Sequence, residues 1–299
     1  MRIGIFFPST EHGSVDDMIE RFAAVEARGF ASAWLPQSSS HDALTLFAVA
    51  GREVPRIDFG TGVIPTFPRH PVALAAQALT TNAATGGRLK LGIGLSHKAA
   101  MEGRYGLSYD KPARHMKEYL AILMPILQDR KADFTGETMQ AHMELTIPVT
   151  GCPPVYLAAL QPLMVKLAGR VADGTVTWCT GPITLEEQIA PLITAAAQEA
   201  GRPQPKIVVA LPCIVTDDEA DGREKADRQL AGYGQIPVYR AVLDREGAAG
   251  PGDVSVVGNA ASVAAQLKRF ASIGATEFVA IPCGTPDDRE RTLDVLAGL

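Results

Sequence analysis

The chain has 299 residues, with 28 Lys+Arg against 33 Asp+Glu and a formal net charge of −5. Hydrophobic residues make up 46% and charged residues 20%, a composition that excludes wholesale disorder, while the mild acidity argues against a nucleic-acid partner. No apolar run approaches the roughly 20 residues that span a bilayer, and the stretch Ile3 to Phe7 is too short for a signal-peptide core. A cytoplasmic protein without a membrane partner is therefore expected.

Residues 2–8 read as a strand and Ser14 to Arg28 as a helix, with Ser14 as N-cap and Asp16 and Asp17 suiting the helix dipole. Val15, Ile19, Phe22 and Ala23 carry its helical period, and Gly29 stops it. Ala31–Pro36 is the second strand, with a helix from about Ala43 to Gly51. Arg56–Ile64 is the third, and a helix opens at Pro71, with His70 beside it reading as a cap. Arg88–Gly94 is the fourth strand and Pro112–Gln128 a long helix. Residues 130–148 then read as a small inserted hairpin.

Alternation resumes with strand Pro154–Leu160, helix Pro162–Arg170, strand Gly174–Cys179 and helix Thr184–Ala200. Strand Lys206–Val215 precedes a broken helical region from Asp217 to about Glu246, and Gly247–Gly252 reads as a glycine-rich linker. Helix Ser262–Ser272, strand Thr276–Pro282 and helix Asp287–Leu299 close the chain. The strand-like runs number eight and lack clean polar–apolar alternation, so they are covered on both faces. A single (β/α)8 TIM barrel over residues 1–299 is the expected fold. An open doubly wound sheet is the competing arrangement.

In such a barrel, functional groups collect at the carboxyl ends of the strands. Of six histidines, His12, His41, His70 and His97 fall just after the first four strands, whereas His115 lies in a helix and His142 in the hairpin. Gly92-Ile93-Gly94-Leu95-Ser96-His97 begins like a dinucleotide fingerprint but ends in histidine where glycine is needed. No Walker loop, HExxH or Gly-x-Ser-x-Gly elbow exists, and no spaced pair on a helix offers a metal site. Cys152, Cys179, Cys213 and Cys283 lie too far apart for a zinc knuckle or redox dithiol and are expected to be reduced thiols. Two stretches suit a flat redox ring: the stiff, apolar Thr61–Pro71, and the glycines 92 and 94, whose backbone a ligand can approach closely.

Several stretches in order resemble the bacterial luciferase-like flavin and deazaflavin oxidoreductases, and most closely their coenzyme F420-dependent branch. They include Met1–Pro8, Gly29–Trp34, Gly60-Thr61-Gly62-Val63-Ile64-Pro65 with Arg69-His70-Pro71, and Thr85–Gly94. Further ones are Leu167–Gly174, Val257-Gly258 and Gly274–Val279. The resemblance implies a (β/α)8 barrel and a non-proline cis bond at Val63–Ile64, pressing on one face of the cofactor ring. It implies that Gln37, Gly94, Leu95, Ser96 and His97 lie along the ring, His97 being either a catalytic acid/base or a polar cofactor contact. Ala159, Leu160, Gln161 and Pro162 would hold the phosphate-bearing tail at a helix start, with Thr177 and Thr180 as further contacts. His12, His41 and Trp178 are candidates for substrate contact.

Two departures from the sugar-phosphate dehydrogenases of that branch matter. Gln37-Ser38 stands where they carry Asp-His, and Gln161 stands where the family has glycine. The implied activity is hydride transfer between F420 and a small organic substrate, in a homodimer. The alternatives are an FMN-dependent monooxygenase and a non-catalytic F420-binding barrel.

Overall fold

The computed structural model describes residues 1–8, 13–148 and 151–299. The chain opens with β1 (Arg2–Phe6) and α1 (Val15–Ala27). The Ser14 hydroxyl accepts from Asp17 N while the Asp17 carboxylate accepts from Ser14 N, so two of the amides a helix start leaves free are satisfied reciprocally. β2 (Ser32–Leu35) leads to α2 (Ala43–Glu53), capped by Asp42. β3 (Asp58–Thr61) and the short β4 (Ile64–Pro65) precede α3 (Pro71–Ala84), where His70 Nδ1 accepts from Val72 N at 3.3 Å. β5 (Leu89–Gly94), α4 (Lys98–Tyr105) and α5 (Pro112–Asp129) follow, then the hairpin β6 (Lys131–Thr135) and β7 (Gln140–Glu144).

β8 (Val155–Ala158), α6 (Pro162–Val171) and β9 (Gly174–Trp178) come next. α7 (Pro182–Thr184) runs through a π turn into α8 (Ala190–Glu199). β10 (Lys206–Val215) is followed by α9 (Glu219–Leu230), α10 (Pro237–Glu246), β11 (Val256–Gly258), α11 (Ala260–Ser272), β12 (Glu277–Pro282) and α12 (Pro286–Ala297).

β1, β2, β3, β5, β8, β9, β10 and β12 pair in parallel in that order, and β12 pairs back onto β1. Among the described residues these eight strands form a closed ring, which decides for the (β/α)8 barrel over the open sheet. No helix of the described residues is long and apolar enough to cross a membrane.

Side chains alternate across each strand. Phe6, Trp34, Tyr156, Val176, Val208, Ala210, Val279 and Ile281 fill the inside of the ring. Their neighbours Ile5, Ala33, Phe59, Leu91, Leu157, Val209 and Phe278 pack outward against the helices. The large inner rings need a missing Cβ opposite: one built on Gly60 would lie 2.2 Å from the Trp34 indole.

Towards the amino ends of the strands the barrel holds charge. Lys90 and Glu277 pair with side chains only 8% and 5% exposed. Glu277 also accepts from the Ser32 hydroxyl and, at 3.2 Å, from Trp34 Nε1. Lys90 Nζ lies 3.2 Å from Asp58 Oδ2 and over the Trp34 ring. Such buried ions are tolerated because each is paired and hydrogen-bonded.

Three local features depart from the sequence expectations. The stretch 98–105 is helical, although Met101 is its one buried residue and so leaves no apolar period to read. The chain beyond the glycine-rich linker adds β11, a three-residue strand along the end of β10 and too short to show a pattern. The third strand is divided, and the cis bond expected at Val63–Ile64 lies at Gly62–Val63 instead. Residue 62 has no room for a Cβ, which would stand 2.7 Å from the Phe6 ring. Ile64 instead enters the ladder opposite Ile93, so the Val63–Ile64 link is an ordinary trans one.

Candidate active site

The carboxyl ends of β1, β5, β8 and β9 and the β3–β4 junction bring Phe6, Gly94, Ala158, Trp178 and Val63 to the mouth of the ring. A Cβ on Gly94 would come within 2.8 Å of Val63 Cγ2 and 3.1 Å of Ala158 Cβ. Val63, Gly94 and Ala158 therefore pack against one another as one apolar wall. The chain turns sharply beyond it: Ser96 adopts φ 59°, a left-handed conformation rare for a residue with a side chain. The Tyr109 hydroxyl donates to Ser96 O at 3.1 Å and holds that turn. His97 follows as the N-cap of α4, half-buried, with its ring edge-on to Tyr239 at 5.4 Å. Burial lowers its pKa below the ordinary 6.5, so at neutral pH the imidazole is uncharged and can both give and take a hydrogen bond.

An aromatic array crosses the mouth from β1 to this turn. Phe6 packs on Trp178 at 5.1 Å, Trp178 on Tyr233 at 5.5 Å, Tyr233 on Tyr239 at 5.2 Å, and Tyr239 on His97. Burial, with Cys179, Tyr233 and Tyr109 close by, pushes the Tyr239 hydroxyl well above its usual range and keeps it a donor. Trp178 Nε1 is shielded from solvent yet has no hydrogen-bond partner among the described residues. α10 is fastened over the mouth by Glu246, whose carboxylate accepts from Ile183 N at 3.1 Å and Thr184 N at 2.6 Å at the first helical turn after β9.

Sequence reasoning missed a second cluster. His115, expected as a helix residue, lies on α5 with its ring 3.9 Å from that of Phe67 and nearly parallel to it. Its Nε2 pairs with Thr66 Oγ1 at 3.1 Å, and Phe67 also stacks on Tyr109. Burial lowers the His115 pKa to about 4. Between pH 6.5 and 4 the unfolded chain therefore takes up a proton that the folded ring refuses, and stability falls as pH drops through that window. Urea unfolding at pH 7 and pH 4.5 should show a loss of about 1–2 kcal/mol, less than the whole shift converts to because solvent screens part of it. The loss should be smaller in His115→Phe, where only the share from other buried groups such as His97 remains.

The remaining candidates divide. Gln37 N donates to Val63 O at 3.3 Å, and Gln37 Oε1 accepts from Ala43 N at 2.9 Å, so this residue ties the wall, through its backbone, to the start of α2, through its side chain. His41 Nε2 lies 2.8 Å from Gly13 O, just ahead of the Ser14 cap of α1. His12 falls outside the described residues. Ile64, Leu95, Ala159 and Leu160 direct their side chains to the outer cluster. Gln161 and Pro162 are exposed at the start of α6, where the Gln161 side chain caps nothing. Thr177 is buried on the strand face opposite Val176 and Trp178, its hydroxyl unpartnered among the described residues, and Thr180 donates to Trp178 O. Val63, Gly94, Ser96, His97 and Trp178 thus meet at one mouth, with Gln37 behind the wall.

A family model described as luciferase-like monooxygenase matches residues 1–288. The chain belongs to this family. It is 26% identical over 275 residues to 5,10-methylenetetrahydromethanopterin reductase of Methanolobus tindarius, covering 91% of this chain and 83% of that one. Among solved structures it superposes on the coenzyme F420-dependent tetrahydromethanopterin reductase of Methanopyrus kandleri with TM-score 0.80 at 20% identity, over 99% and 97% of the two chains. It also superposes on the oxygenating constituent of 3,6-diketocamphane monooxygenase of Pseudomonas putida, solved with FMN, with TM-score 0.78 at 16% identity, over 99% and 96%. The luciferase-like fold is thus shared with neighbours that use either cofactor.

Proposed function

We propose that this luciferase-like protein is an F420-dependent oxidoreductase acting on a small organic molecule. The observation that carries the reading is the wall of Val63, Gly94 and Ala158, where a Cβ at 94 would stand 2.8 Å from Val63, set directly before His97. A flat heterocycle needs one apolar face to lie against and one open to its reaction partner, and this wall fits that need. What supports the deazaflavin over the flavin is a sequence relative, a putative coenzyme F420-dependent oxidoreductase of Mycobacterium tuberculosis, 29% identical over 223 residues.

A bound deazaflavin supplies a hydride donor or acceptor that does not react readily with oxygen. The chain supplies orientation and the handling of the proton. Ser96 and its neighbours take the ring edge. The backbone amides at Ala159-Leu160-Gln161-Pro162, where α6 begins, suit the phosphate-bearing tail. His97, uncharged at neutral pH, takes or returns the proton that accompanies the hydride.

Titrating the purified protein with F420 and with FMN, followed by cofactor fluorescence, tests this. F420 should bind at least about tenfold more tightly, a difference of about 1.4 kcal/mol. Tighter binding of FMN would overturn the reading in favour of the monooxygenase. F420 that binds, but whose reduced form no carbonyl or alkene substrate ever oxidises, would mark a non-catalytic binder.

A further inference from the structure

We infer that this site takes an uncharged, flat, unsaturated carbonyl compound, whose oxygen is held by Trp178 Nε1. The inference rests on the hydride-transfer reading and narrows its substrate class. Three observations carry it. First, one side of the mouth is aromatic and uncharged, running from Phe6 through Trp178, Tyr233 and Tyr239 to His97 at ring separations of 5.1 to 5.5 Å. A flat guest entering here exchanges one ring contact for another, so little packing is lost.

Second, the cationic side chains next to these residues in sequence are turned elsewhere. Arg240, beside Tyr239, is spent on Asp244 and on the carbonyls of Ala248 and Ala249. Lys98, beside His97, is 70% exposed and leans toward Glu102. A phosphate or carboxylate placed among these rings would be desolvated with neither Arg240 nor Lys98 turned to meet it.

Third, Trp178 Nε1 is an indole donor closed off from water and left without an acceptor among the described residues. Buried donors are nearly always paired, so an unpaired one at a ligand mouth asks for an acceptor from the guest. A carbonyl oxygen supplies that acceptor without bringing charge.

Calorimetry on the protein loaded with oxidised F420, where no turnover occurs, tests the assignment. The probes are acetophenone, its carbonyl-free counterpart ethylbenzene, and glucose 6-phosphate. Loading is measured first from the cofactor's absorbance. A failure to load counts against the F420 reading alone, and the same probes are then titrated into the unloaded protein.

Acetophenone should bind, and glucose 6-phosphate should give no heat at concentrations that saturate the ketone. Trp178→Phe keeps the aromatic body and removes the donor. It should weaken acetophenone about tenfold more than it weakens ethylbenzene, the effect of one lost hydrogen bond beyond the packing both guests lose. Ethylbenzene that still binds also shows that the variant is folded. Acetophenone binding equally well to Trp178→Phe, or glucose 6-phosphate binding more tightly than the ketone, would overturn the proposal.

Discussion

Glu277→Leu is expected to destabilise the folded protein by about 3–5 kcal/mol, one of the two largest effects anticipated for any single change. The substitution leaves Lys90, 7% exposed, as a buried cation facing only Asp58 at 3.2 Å, and strips an acceptor from Ser32 and Trp34. Adding Lys90→Met should recover part of the loss, because the unpaired charge costs more than the missing attraction. Urea unfolding of the two single variants and the double variant forms a cycle that measures this coupling. Losses that simply add would show that the two side chains do not depend on one another.

His97→Gln should lower turnover with F420 by about 10²–10³-fold, the usual contribution of a positioned proton-transfer group. Glutamine keeps a polar side chain of similar reach beside Tyr239 but cannot exchange a proton, so cofactor affinity should change little. The pH profile separates proton handling from mere contact. Burial holds His97 below 6.5, so in the alcohol-oxidising direction, where it must accept a proton, the rate should fall only below that value. In the carbonyl-reducing direction the rate should climb as pH falls toward the same pKa. Both limbs should vanish in the variant. A profile that survives the substitution would leave His97 as a cofactor contact without a role in proton transfer.

The ring of strands was legible because parallel strands buried on both faces are written as short β-branched runs. Each is followed by its own helix start, such as Ser14 or Pro71. The mouth was partly legible for the same reason: His97 stands directly after a strand, and position along the chain then gives position in space. The array that crosses it was not. Tyr233 and Tyr239 lie in a segment whose first helix, α9, is largely polar, and nothing in the sequence says which way that segment folds. The stack of His115 on Phe67 joins α5 to the chain after β4 through residues 49 apart at Thr66, a pairing that no local period encodes. A signal for Lys90 and Glu277 did exist. Each is a lone charge inside an otherwise apolar strand, and such a charge is found buried only with a partner.

The placement of that pair bears on biosynthesis. Lys90 and Glu277 are 187 residues apart, on the middle and the last of the ring strands. While the chain emerges from the ribosome, the lysine has no access to its carboxylate until the final strand has been made. A nascent chain halted earlier keeps an ammonium group that resists dehydration at the base of an incomplete cylinder. Neutralising that group and sealing the cylinder are therefore a single late event, and a C-terminal truncation short of residue 277 forfeits both.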